Sequence, residues 1–358
     1  MGRVVYTTRE AVMDAFDVKE AANRFAQVDS AIASASDDID GWLNRHKHGV
    51  APTRATRYFD WPGQFYGRPY RLWFDENEAV SITSLTTGGV ALTEGTDYFL
   101  EPVNSGPPYT YAEINISSGA TFSNLGTWQH AVAIEALWGL NDDRSPAGTL
   151  AAAVDASVTA VQVSDASLVG VGSLLSLQGE RAIVTGRSAV TTGQTITADL
   201  DELDSDRELV VADATQVHAG EVITVDTERM KVLSVTGNVL VVDRAWDGSP
   251  LASHLTGATV YADRLLTVER GVLGTTAEAH AQNLALTTWK VPDLIEALCR
   301  AEAITRLEQE WSAYGVRVYS DEAERDSSGT EVVSGRGLTD IRKSCARRYK
   351  RKFRKRAV

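Results

Sequence analysis

VSDASLVGVGSLLSLQGERAIVTG, beginning at Val163, aligns with VADATQVHAGEVITVDTERMKVLSVTG, beginning at Val211, at a fixed offset of 48 residues. Asp165 matches Asp213, Gly172 matches Gly220, and the pair Glu180-Arg181 matches Glu228-Arg229. A shorter repeat aligns VLVVDRAWDGSPLASH (239–254) with LLTVERGVLGTTAEAH (265–280) at an offset of 26, pairing Arg244 with Arg270 and His254 with His280. The repeats are rich in β-branched residues and carry turn residues every 8–12 positions. Such modules read as small β-barrels or sandwiches, and two copies are too few for a solenoid. Residues 150–285 therefore read as an inserted all-β repeat domain, preceded by a boundary of turn-forming residues, NDDRSPAGT (141–149).

The flanking segments have a different period. Thr7 and Glu10 have capping-box spacing ahead of a short helix, AVMDAF. Asp17 is placed to cap a second helix from about Val18 to about Arg45. Its apolar face holds Ala22, Phe25, Val28, Ile32, Ala35, Ile39 and Leu43, with Trp42 at the edge. Pro292 and Gly315 bracket a third helix of about six turns. Leu294, Leu298, Ala301, Ile304, Leu307, Trp311 and Tyr314 recur on it every three or four residues. Arg300, Glu302, Arg306, Glu308 and Glu310 are left for its solvent side. These helices are natural packing partners across the intervening β sequence. Between them, residues 50–140 alternate with period two and are punctuated by Gly and Pro. AVSITSLTTGGVALTEGTDYFLEP, YAEINI and HAVAIEALWGL read as antiparallel strands, and LALTTWKV as the return to that region. The expected fold class is α+β: a helical bundle with an antiparallel β region, plus an inserted all-β repeat domain. The expected division is an adaptor-like core over 1–149 and 286–335, the insert over 150–285 and a basic tail over 336–358.

Charge is distributed unevenly. The chain carries −13, yet residues 336–358 hold eleven of its 35 Lys and Arg and one acid, a local +10 that leaves −23 on residues 1–335. Ten of these cations lie between Arg342 and Arg356. Such a segment suits phosphates or an acidic groove on a protein partner. The residues that carry it are Arg342, Lys343, Arg347, Arg348, Tyr349, Lys350, Arg351, Lys352, Phe353, Arg354, Lys355 and Arg356. Tyr349 and Phe353, four apart, would supply an apolar anchor if the segment became helical on binding.

Other constellations read as structural. His46 and His48 flank Lys47 without further ligands at metal spacing, and cations near a helix C-terminus are favoured by its dipole. His254 and His280 hold equivalent repeat positions and read as turn features. Asp37, Asp38 and Asp40 miss the calcium-loop pattern and read as a solvated helix face, and 199–206 as an acidic loop. Cys299 and Cys345 make neither a disulfide framework nor a zinc site. No apolar run approaches the ~20 residues that span a bilayer, and the N-terminal residues lack the apolar core of a signal peptide, so a cytoplasmic product is expected. P-loop, GxGxxG, HExxH and GxSxG motifs are missing, so the expectation is no enzyme, no cofactor and no catalytic or metal site.

The order of short helix, long helix, aromatic-rich crossover, hairpins, final helix and polar tail resembles the head-to-tail connector (adaptor) proteins of long-tailed bacteriophages. The residues that carry the resemblance are TTREAVMDAFDV, DDIDGWLNR, VSITSLTTGGVALTEGTDYFLEP and YAEINI, covering about 1–140 and 286–358. ERGVLGTTAEAH also looks like modules of phage virion proteins. The 150–285 insert departs from the minimal family pattern. The resemblance implies a dodecameric ring beneath the capsid portal, made in the host cytoplasm and residing at the capsid–tail neck. Its partners would be the portal protein, a downstream neck or tail-completion protein and, non-specifically, packaged DNA in the channel, with no membrane. The alternatives are a tail-tube, baseplate or other structural virion β protein, or a non-structural nucleic-acid-binding protein.

Overall fold

The computed structural model describes residues 3–16, 24–45, 49–62, 70–124, 126–311 and 336–351. It corrects the expected fold class. Among the described residues strands hold 37% and helices 21%, so large antiparallel sheets dominate and no helical bundle forms the body. The chain forms two compact units.

The first unit comprises residues 1–36, 144–272 and 276–345. Its helices are α1 (Arg9–Phe16), most of α2 (Phe25–Trp42), α3 (Asp293–Trp311) and most of α4 (Arg336–Tyr349). Val28, Ile32 and Ala35 of α2 are buried, as are Ile295, Leu298, Cys299 and Leu307 of α3. Cys299 Sγ lies 3.4 Å from Ser36 Oγ, so the distant helices do pack together. The buried stripe of α3 is rotated from the expected one. It includes Glu302, while Leu294, Ala301 and Ile304 are half-buried. Asp40 of α2 is also buried, although Asp37 and Asp38 face solvent as expected. Asp17, Val18, Ala22, Tyr314 and Gly315 lie outside the described residues.

The sheet of this unit joins ten strands: β8 (Arg144–Thr149), β9 (Ala160–Gln162), β10 (Leu174–Leu177), β11 (Glu180–Thr195), β12 (Glu208–Val210), β13 (Val222–Val225), β14 (Glu228–Thr236), β15 (Val239–Asp243), β16 (Thr259–Arg270) and β17 (Ala285–Trp289). Their order is β12-β15-β14-β13-β16-β11-β10-β17-β8, with β9 also on β16. Two consequences were not legible. The stretch 141–149, rich in turn formers, contains strand β8, and LALTTWKV supplies β17, which pairs with β8 and β10 in this sheet. The unit holds two separate β cores, one around Leu175, Val184 and Leu266, the other around Ile223, Val232 and Leu240.

The second unit comprises residues 37–143, 273–275 and 346–358. One sheet orders β1 (Thr53–Phe59), β7 (Val132–Trp138), β3 (Ala79–Thr87) and β4 (Val90–Leu92) as β1-β7-β3-β4. A second orders β2 (Arg71–Trp73), β6 (Tyr111–Ile114) and β5 (Tyr98–Glu101) as β2-β6-β5. The period-two pattern explains β7: Val132, Ile134, Ala136 and Trp138 point inward and their neighbours do not. Trp138 packs edge-on against Phe74 at 5.6 Å, and its indole N–H donates to Ala55 O at 2.8 Å. Gly274 lies against β1, where Arg54 N donates to Leu273 O at 2.9 Å.

Candidate functional site

The cationic C-terminal segment is a formed helix from Arg336 to Tyr349, not a bare tail. Leu338, Ile341 and Cys345 recur every three or four residues; Cys345 is buried and the other two half-buried. Arg342 shares this side and grips Glu302 of α3 through two hydrogen bonds, of 2.5 and 2.7 Å. That bidentate pair explains why Glu302, read as solvent-facing, is buried. It also means Arg342 is used internally rather than offered to a partner. Lys343, Arg347 and Arg348 form the exposed cationic side, with Lys350 exposed just beyond the helix. Arg347 and Arg348 in the last turn also complement the helix dipole.

Past Cys345 the chain belongs to the second unit and is held there by its backbone and by the Arg351 side chain. Arg45 Nη2 donates to Tyr349 O at 3.1 Å, Arg351 N to Leu43 O at 2.9 Å, and Arg351 Nη2 to Asn77 O at 3.3 Å. Tyr349 is half-buried with Arg348 stacked on its ring at 5.4 Å. Of the twelve residues expected to bind a partner, Lys343, Arg347, Arg348 and Lys350 are thus exposed, whereas Arg342, Tyr349 and Arg351 are anchored. Lys352, Phe353, Arg354, Lys355 and Arg356 lie outside the described residues, as do His46, Lys47 and His48.

Two buried ionic hubs sit in the ten-stranded sheet. Arg244 donates to both Glu228 oxygens at 2.7 and 2.8 Å, and to the carbonyls of Asp201, Asp206 and Ala252. Glu228 also accepts the N–H groups of Ala245 and Ala252 and faces His254 Nε2 at 3.0 Å. Burial alone would raise the Glu228 carboxyl, but the Arg244 guanidinium, those N–H donors and His254 together bring it down to about 2. Arg270, Glu180 and His280 repeat the arrangement, with Arg270 donating to Glu180 at 2.8 and 2.6 Å and His280 Nε2 lying 2.9 Å away. Apart from His280 Nδ1, the side-chain donors and acceptors of these hubs are committed to fold contacts, so the histidines join chain segments. One difference stands out. His254 Nδ1 faces Asp226 at 2.8 Å, while His280 Nδ1 is buried without a partner.

A cleft of about 600 Å³ lies where residues 5–14 run over the sheet. Glu10 accepts the Val171 N–H at 2.8 Å and a long 3.3 Å bond from Arg187. Arg229 pairs with Asp263 at 2.7 Å and Asp247 at 3.0 Å, and Lys231 pairs with Asp14. Burial pushes the Asp247 carboxyl up, against the pull of Arg229. A Cβ on Gly170 would lie 2.4 Å from Glu10 Oε2, so glycine there is what lets this segment approach. The charges are matched within the cleft, and neither His nor Cys lines it among the described residues. It works as a seat for α1.

The sequence motifs located the hubs through the repeats. They did not reveal Glu302, Glu10 or the Glu221–Arg264 pair (2.7 Å), whose partners are remote in the chain. No group of three His, Cys, Asp or Glu suited to a metal occurs among the described residues, and no described helix is long and apolar enough to cross a membrane. No known protein family, curated protein or solved structure matches the chain.

Proposed function

We propose that this chain is a non-catalytic structural virion protein of a long-tailed bacteriophage, forming a ring that joins the capsid portal to the tail and lines the DNA passage. The reading rests on the sequence resemblance and is carried by one structural observation: α4 is anchored on its Arg342–Cys345 side and turns Lys343, Arg347 and Arg348 outward. A short helical cationic ridge on a chain of net charge −13 suits an anionic groove on a portal or packaged DNA. A ring also needs two different, mutually complementary sides on each copy.

The test is a triple variant, Lys343→Glu, Arg347→Glu and Arg348→Glu, which leaves the Arg342–Glu302 pair intact. It is mixed with tail-less, DNA-filled heads and followed by co-sedimentation at low and physiological salt. The parent should co-sediment and the folded variant should not. Equal binding by both refutes the assignment. Binding to free DNA alone, with none to emptied heads, moves the patch's partner from portal to nucleic acid.

A second reading, a tail-tube, baseplate or other virion β protein, is favoured by the ten-stranded sheet of repeated elements. Antibody labelling of particles separates the two: label at the neck supports the ring, and label along the tube or at the tip supports the alternative.

A further inference from the structure

The two sequence repeats, at offsets of 48 and 26, are halves of one structural repeat. In the first, β9 pairs with β16 as Gln162↔Leu265 and Val161↔Leu266; in the second, β12 pairs with β15 as Val210↔Val239 and Leu209↔Leu240. Adding 48 to one partner and subtracting 26 from the other turns each pair into its counterpart. The same rule converts Leu175↔Thr288 into Ile223↔Ala262, and Val184↔Val268 into Val232↔Val242. It even reproduces the irregularity between Val184 and Gly186 as the one between Val232 and Ser234. Glycines with left-handed φ recur, Gly172 at 99° and Gly220 at 91°. Asp165 and Asp213 each accept a backbone N–H and a hydroxyl two residues on. The Glu180–Arg270–His280 hub becomes Glu228–Arg244–His254, with its own core in each case.

We infer that residues 189–264 are a complete second copy of the module, inserted at a hairpin tip of the first, and that each copy folds as its own unit. The insertion point is visible. In the inner copy Thr236 and Val239 are register partners joined by Gly237-Asn238. Their counterparts in the outer copy, Ser188 and Leu265, are also register partners, but they are joined by residues 189–264. β11 and β16 are long because each runs from one copy into the other. Side-chain links between the copies are few: the Ala166 N–H donates to Glu221, Arg187 Nε donates to Asp263 O at 3.2 Å, and His218 lies 4.0 Å from Asp165. Each has one end in the inserted stretch, Glu221, Asp263 or His218, and is lost when that stretch is removed.

The inference concerns the architecture and holds whatever the chain docks onto. Its test replaces residues 189–264 in the full chain with Gly-Asn, copying the inner turn. Amides of β8, β10 and β17 should keep exchange protection within about threefold of the parent. Loss of their protection overturns the inference. In the unaltered chain, native-state exchange against denaturant should resolve two sets of amides, β12–β15 and β8, β10 with β17, each with its own opening isotherm. Merging of both sets into one isotherm at all denaturant concentrations also overturns it.

Discussion

Replacing Glu228 with Gln removes one charge and almost no volume. In the parent this carboxylate and Arg244 are both fully shielded from solvent, and the carboxylate receives two guanidinium and two backbone hydrogen bonds. In Glu228→Gln the Arg244 cation stays buried without its counter-charge, and the amide N–H₂ faces donors where an acceptor stood. Breaking a buried pair from one side costs about 3–5 kcal/mol. Acid should reproduce much of this loss in the parent. The folded carboxyl sits at about 2 against an ordinary 4.5. Because the folded value is depressed, the stabilisation is complete above about 4.5 and drains away as pH falls towards 2; at 1.4 kcal/mol per tenfold, it amounts to about 3 kcal/mol. Urea denaturation at pH 7 and pH 3 measures both. The parent should lose stability between the two, and Glu228→Gln should start lower and lose less. Exchange of the β12–β15 amides should rise at least tenfold in the variant, with β8, β10 and β17 little changed. A variant within about 0.5 kcal/mol of the parent at pH 7, a level typical of surface substitutions, would refute the claim that this hub holds the inner copy together.

Gly274→Ala should be among the most damaging single changes, since its Cβ would fall 1.8 Å from Arg54 O at a φ of +79°; a loss of about 3 kcal/mol or more is expected in thermal melts, against near-neutrality for Gly119→Ala, which has open space. Gln178→Asp puts a carboxylate at the position equivalent to Asp226, beside the unpartnered His280 Nδ1; it should stabilise the outer copy by about 1 kcal/mol, and a loss of stability would show that the turns are not interchangeable. Both thiols should resist a thiol reagent at pH 8 until the chain unfolds. Burial pushes the Cys299 thiol up to about 12, and Cys345 is buried on the inward side of α4. Labelling of Cys345 in the native chain would mean that α4 is not docked as described.

Local pattern carried much of the secondary structure. The Gly88-Gly89 hairpin, with both residues at positive φ, and the alternating strand β7 were legible because a turn and a pleat are set by neighbouring residues. Helix α3 was legible as a helix, but its inward face was not. Glu302 looks like a solvent residue until Arg342, forty positions on, meets it. The same limit applies to the cationic segment: composition marks it as basic, whereas only packing sorts the anchored Arg342 and Arg351 from the outward Lys343, Arg347 and Arg348.

The repeats show the division most sharply. Sequence by itself determined that Glu180 equals Glu228 and that Arg244 equals Arg270, because such matches are properties of the string. It did not join the two offsets into one object, since Glu180 and Arg270 meet only after the chain has travelled through an entire second copy. Nor did it show that strands outweigh helices as the frame of the molecule. Those facts depend on which distant segments share a core, and hydrogen bonding between remote strands decides that in three dimensions.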